Sequence, residues 1–342
     1  LASIEALYSL RKSWLLANHR HRYDQAEQFL LEQGPVFNQV PGLGSWRLLQ
    51  QAHFRQALGN LSGALAAYEK AEESAKLFGD EDARTELAMA RATTLVMMGR
   101  LTEVKELLPT IVASVSDPCR RGMQLATQGW LQNLARQALR QADPRWQGFD
   151  PRSTLEKSVA LLRQCQQPVA LANAMTNLAH VAALDDNAQG IAQWLGQAKK
   201  ELPSPESNLA MEWAELEGKY ALLMQDWSTA TAHYQRLAAL GKKQDMYESV
   251  WVALIGEARA AEAHDRRRAA ALYERAAKYL DERSLELPLA AGRGTFLGRF
   301  ERGTAHYLDL LVSQQRYPEA VQLIRHARAR GLQALGAIAR AN

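Results

Sequence analysis

The sequence predicts an all-α protein, one continuous right-handed α-solenoid of about eight helical hairpins forming a single superhelical domain over residues 1–342. Three observations carry this. Apolar residues recur at spacings of three and four over most of the length, and runs that alternate every second residue are almost absent. Ala, Leu, Gln, Arg and Glu dominate, all strong helix formers. Short punctuations such as LFGD, MMGR, LDDN and ELPSPES separate the helical stretches.

The elements repeat. GNLSGALAAYEKAEE (59–73) sets the pattern, with small residues at Gly63, Ala64, Ala67 and Ala71 around a single aromatic, Tyr68. Relatives of it stand at HRYDQAEQFLLEQ (21–33), GRLTEVKELLPTI (99–111) and DNAQGIAQWLGQA (186–198). Others follow at QDWSTATAHYQRL (225–237), DRRRAAALYERAA (265–277) and QRYPEAVQLIRHA (315–327). In most, a turn residue precedes an apolar or aromatic one, a small residue follows three later, and a bulky one four beyond that. Ala26, Ala64, Val104, Gly190, Ala230, Ala269 and Ala320 mark the register and return about every 40 residues. The interval from Val104 to Gly190 hides one further unit, and that from Ala269 to Ala320 contains an insertion.

Stacked helical pairs explain the small residues. A unit of this size cannot bury its apolar face alone. Its second helix must approach a neighbour to about 8–10 Å, which leaves no room for leucine at the crossing. Tyr68, Trp194, Tyr234 and Tyr273 then fill the wedge one turn later. Register is least defined over 112–170, because QADPRWQGFDP (141–151) interrupts the period as an irregular insertion. A Gly/Arg inter-repeat loop is expected at about 284–300, and a C-terminal linker helix at about 319–338.

Composition bounds the partners. Hydrophobic residues make up 47%, enough for a large core, and Lys plus Arg (41) exceed Asp plus Glu (37) by only 4. That excess is too small and dispersed to require nucleic acid or an anionic membrane. The basic clusters DRRR (265–268) and RHARAR (325–330) spread over more than one helix face and read as solvated surface. No apolar run approaches the 18 or so residues of a span. The start, LASIEALYSLRKSWLL, has neither a basic leader nor a cleavage site, and no initiator Met, so an excised or processed piece is expected. Cys119 and Cys165 belong to no CxxC pair and read as two half-buried helical thiols, with a reducing cytoplasm as the natural location.

Chemistry-bearing motifs are scarce. His19 and His21 in HRHR lie two apart and so face different sides of a helix, poor metal geometry. Glycines 292, 294 and 298 do not make GxGxxG, and no strand precedes them. HExxH, GxSxG, a P-loop and paired CxxC are absent. The expectation is therefore no catalytic residue, no cofactor and no metal, hence no enzymatic activity of its own.

The small-residue pattern, Ala52 with Ala64 and Ala71 in one unit and Gly218 with Ala230 in another, resembles the tetratricopeptide repeat (TPR) over essentially the whole chain. The period nearer 40 than 34 and the mostly missing closing Pro resemble the longer variant of that family. Residues 287–335, with the Gly/Arg loop at 292–299, YPEA and ARARGLQAL, resemble the last repeat before a CHAT domain. That domain is the caspase-like cysteine protease module fused to such repeats in bacteria, and its His and Cys would lie beyond Asn342.

The resemblance implies that the first helix of each pair lines a concave groove. The inward positions are then Trp46, Leu49 and His53; Glu86, Met89 and Thr93; Glu212, Glu215 and Lys219; and Arg302 with Asp309. Such a mixed groove, partly acidic and partly apolar, suits an extended or helical peptide. The carboxylate clamp of some family members needs Asn and Lys where His, Thr, Lys and Asp stand here, so binding of C-terminal tails is not expected. The implied function is a cytoplasmic scaffold or sensor. A protein or peptide partner alters its curvature, and the last helix passes the change to an attached or neighbouring CHAT-type protease. A free-standing adaptor is the alternative, as is the ligand-sensing repeat region of a transcriptional activator.

Overall fold

The computed structural model describes residues 2–327 apart from 21, 59, 114–116, 139–149, 206, 245 and 287–300, together with residue 329. Among them there is helix, turn and loop, and no strand. In chain order the helices are α1 (Ala2–Arg20), α2 (Tyr23–Glu32), α3 (Gly34–Asn38), α4 (Gly44–Ala57), α5 (Leu61–Phe78) and α6 (Glu81–Met97). Then come α7 (Leu101–Ala113), α8 (Pro118–Ala138), α9 (Pro151–Leu162), α10 (Pro168–Leu184), α11 (Ala188–Glu201) and α12 (Ser207–Leu223). The series ends with α13 (Trp227–Lys243), α14 (Tyr247–Glu262), α15 (Arg266–Glu286), α16 (Glu301–Ser313) and α17 (317–327). A 3-10 turn, Pro41–Leu43, leads into α4.

The chain divides into two compact units. The first holds α1–α6 and most of α7; the second holds α8–α17.

The punctuation residues act as caps. Asn60, Asp80, Asp150, Asn187 and Asp226 each accept a hydrogen bond from the backbone N–H three residues on, at 2.9–3.1 Å. Each bond satisfies one of the four N–H groups a helix start leaves open, a contribution of about 1 kcal/mol. The turn inside a hairpin also repeats. Gly99, Asp186, Gln225 and Gln315 take positive φ, and the next residue donates its N–H to the carbonyl five back, at 2.9 Å in all four. One turn geometry is thus written with four different sequences.

In the first unit α1 packs with α2 and α4 with α5, while the first helices α1, α4 and α6 touch in sequence. Ala64, Ala67, Ala71 and Ala75 on α5 are all buried. The carboxamide oxygen of Gln56 accepts from Tyr68 Oη (3.0 Å) and Thr94 Oγ1 (2.8 Å), joining α4, α5 and α6.

The second unit continues the scheme. Pairs form as α8–α9, α10–α11, α12–α13 and α14–α15, and the first helices α8, α10, α12 and α14 stack in order. Trp213 Nε1 donates to Thr176 Oγ1 at 2.8 Å, and Thr176 Oγ1 donates to the Ala172 carbonyl, locking α12 onto α10. Register markers Ala230, Ala269 and Ala320 are buried, as are Ala26, Ala64 and Val104 in the first unit. A Cβ added at Gly190 would meet Ala182 Cβ at 2.9 Å. Successive pairs with stacked first helices are the packing of an α-solenoid.

One expectation is corrected. Cys119 and Cys165 are not thiols; they form a disulfide with a Cα–Cα distance of 5.9 Å, and no free cysteine exists. Cys119 opens α8 and Cys165 follows the end of α9. An antiparallel pair brings the start of its first helix beside the end of its second, which sequence spacing does not reveal. Residues 141–149 of the expected insertion, most of the 284–300 loop and the linker helix beyond 327 lie outside the described residues, save 329. Asp150 caps α9, residues 284–286 complete α15, and α17 begins at 317.

Candidate functional site

Stacking of first helices brings polar side chains from three repeats to one face of the second unit. His180 lies in the last turn of α10, Glu212 and Glu215 lie on α12, and Glu248 lies in the first turn of α14. His180 Nε2 stands 3.4 Å from a Glu212 carboxylate oxygen. Burial works to lower the His180 pKa, but the hydrogen bond to Glu212 and the negative charges of Glu212 and Glu215 outweigh it and hold it above 6.5. Burial raises Glu215, and the charges of Glu248 and Glu212 raise it further against the pull of His180. Glu212 and Glu215 thus share one imidazole, and Glu248 adds its charge to Glu215. A Lys or Arg side chain from a partner is the group such a patch holds best. Among the described residues no cluster of His, Cys, Asp and Glu could hold a metal ion.

A second polar hub lies on the opposite flank of α12. Glu217 contacts Lys199 Nζ of α11, and its other oxygen lies 3.1 Å from His233 Nδ1 and 3.8 Å from Arg236 of α13. Beside it a cleft of about 630 Å³ opens between α11, α12 and α13, walled by Ile191, Leu195, Tyr220 and Met224. With only 16% of its side chain exposed, Glu217 fastens two second helices to the intervening first helix.

Of the residues expected to line a groove, Glu212 and Glu215 come together in this patch. Lys219, on the same side of α12 as Glu212 and Glu215, pairs with Asp186 in the α10–α11 turn. In the first unit Trp46 donates its Nε1–H to Asp80 Oδ2 at 2.8 Å, tying α4 to the cap of α6. Leu49 is 5% exposed and belongs to the core. His53 is exposed, its ring 5.9 Å from that of Tyr68. Glu86 is exposed, Met89 half-buried, and Thr93 donates to the Met89 carbonyl. Asp309 is exposed on α16, and the Arg302 side chain lies outside the described residues.

His180 and Glu248 were not anticipated. His180 stands on α10, whose partner helix α11 carries the marker Gly190, a residue that does not by itself show which side of α10 faces inward. Glu248 lies one helix beyond the unit in which the inward positions were read.

No protein-family model matches the chain. No curated protein matches it either. Among solved structures, the crystal structure of yeast Tom70 is similar over 98% of this chain and 95% of that one, at 12% identity and a TM-score of 0.30.

Proposed function

We propose that this chain is a protein-interaction scaffold whose stacked first helices receive a peptide or helix from a partner. The patch of His180, Glu212, Glu215 and Glu248 is the observation that supports this most directly, because carboxylates left to crowd one imidazole ask for a cation from outside. Residues from three successive repeats contribute, so the bound segment runs across the repeats and carries Lys or Arg. The groove positions in the first unit, Trp46, His53, Glu86, Met89 and Thr93, extend the same reading to an apolar and acidic surface there. On this reading the chain has no catalytic role, and any chemistry belongs to its partner.

The resemblance of 287–335 to the repeat before a CHAT domain extends the proposal to a caspase-like cysteine protease, attached or neighbouring, that the scaffold regulates. Location is read from the disulfide. Cys119–Cys165 supports an oxidising compartment over the reducing cytoplasm expected from cysteine scarcity. No described helix is long and apolar enough to cross a membrane.

Titration with fluorescent amphipathic peptides that differ only in Lys or Glu content tests the core of the reading. The Lys peptide should bind at least about tenfold more tightly, and Glu212→Lys with Glu248→Lys should remove that preference. Equal binding of both peptides, or a preference that survives the double variant, rejects it.

A further inference from the structure

Helix α1 is built inside out. Toward the protein it presents Ala6, Ser9, Ser13 and Ala17, all at 0–1% exposure. Toward solvent it presents Ile4 (72%), Leu7 (55%), Tyr8 (62%), Trp14 (40%) and Leu15 (39%). At 100° per residue these five positions and Arg11 form one stripe opposite the small residues. The other first helices offer a control within the same chain. Among the described residues, α4, α6, α12 and α14 expose no large apolar side chain, and α8, α10 and α16 expose one each, Met123, Val169 and Val312. The five side chains leave on the order of 500–600 Å² of apolar surface per copy, at the upper end of what a monomer keeps exposed and approaching the per-partner area of a stable interface.

We propose that this face is a self-association surface on which α1 of a second copy packs antiparallel. The charges choose the partner and its direction. Glu5 is the one acid of α1, and Arg11 and Lys12 are its exposed central cations. Glu5 and Lys12 stand seven residues apart, on the same flank of the stripe. A two-fold axis at the level of Tyr8 and Ser9 sets Glu5 of each copy opposite Lys12 of the other, twice. The two Tyr8 rings then meet at the axis, and Ile4 lies alongside Trp14 and Leu15 of the second copy. A parallel pair would set the flank of Glu5 and Lys12 against the other flank, where Ser3 and Leu10 offer no charge. Arg11 sits 4.6 Å over the Trp14 ring and Lys12 Nζ 4.5 Å over the Phe29 ring. Both cations are thus held in position while remaining exposed.

Sedimentation of the 342-residue chain over about 1–200 μM, with circular dichroism as the check on folding, tests this. A concentration-dependent shift from 38.1 kDa to twice that mass is expected. Tyr8→Glu changes an exposed side chain and should weaken the dimer by about a hundredfold or more. Glu5→Lys should weaken it by up to about tenfold, and Glu5→Lys with Lys12→Glu should restore it. A monomer throughout, or a dimer indifferent to Tyr8→Glu, overturns the proposal. So does a charge swap that fails to restore pairing. A monomer that floats with anionic phosphatidylglycerol vesicles also overturns it, placing a bilayer on this face instead.

Discussion

The ring of Tyr234 occupies the space a side chain at Gly256 would need: a Cβ built there would lie 2.4 Å from the ring carbons. On the other side, a Cβ at Gly218 would lie 2.8 Å from the same ring. Tyr234, on the second helix of its pair, is therefore slotted between glycines on α12 and α14, the first helices of its own and the following repeat. The close approach is a property of the repeat interface, where one large flat ring replaces several smaller contacts.

Gly256→Ala should therefore destabilise the second unit by about 1–3 kcal/mol, the usual cost of overpacking a well-filled site. Tyr234 is 4% exposed and has no free direction to retreat. Combining Gly256→Ala with Tyr234→Ala should cost less than the sum of the two single changes, because the cavity accommodates the methyl. Urea midpoints of the four proteins check this, and strict additivity would break the assigned contact.

At Gln225 the expectation is reversed. This exposed residue takes φ 60°, a region that costs a side-chain-bearing residue about 1–2 kcal/mol. Gln225→Gly should raise stability by about 0.5–1 kcal/mol, since part of the relief returns as unfolded-chain entropy. Gln225→Val should lower it. Thermal midpoints in the opposite order would show that the turn does not hold this conformation.

Reduction should weaken the second unit. The Cys119–Cys165 bond closes a loop with a sequence separation of 46, for which chain entropy gives about 4 kcal/mol, with measured bonds typically contributing about 2–4. Melting with and without a thiol reductant measures it, alongside a Cys119→Ser, Cys165→Ser double variant. Thiol titration of the oxidised, denatured protein should find no free cysteine. Two reactive thiols and a reductant-insensitive melt would remove the bond and the argument for an oxidising compartment.

The architecture was largely legible because packing dictates side-chain size. Ala64, Ala71, Ala230 and Ala269 mark helix crossings whatever else the repeat contains, and Asn60, Asn187 and Asp226 start helices for a local reason. The patch was only half legible. Glu212 and Glu215 follow from register on α12, whereas His180 depends on the α10 register, and that repeat opens with Gln167–Pro168 in place of a marked turn. Lys219 and Leu49 show the other limit. Periodicity fixes the side of a helix on which a residue stands, but not that Lys219 finds Asp186 in the preceding turn or that Leu49 is covered by neighbours. The disulfide depended on the pairing of α8 with α9, a tertiary fact with no short-range motif.

The last expectation concerns pH. His180 is held above its ordinary 6.5, and Glu215 above its ordinary 4.5, so the folded second unit binds more protons than the unfolded chain over the intervening range. For a raised group the stabilising contribution is complete below the unfolded pKa and disappears as pH rises through the folded one. Stability should therefore fall as pH increases from about 4.5, first through Glu215 and then, above about 6.5, through His180. Glu212→Gln removes the carboxylate that raises His180 and part of the charge that raises Glu215, so it should flatten the decline. Denaturant titrations at pH 5, 6, 7 and 8 on both proteins read the slope directly. Because Glu212 is 46% exposed, salt should shallow the wild-type slope and leave that of the variant nearly unchanged. A wild-type profile that rises over this range, or a variant with the same slope, would mean that the imidazole does not share its proton with Glu212.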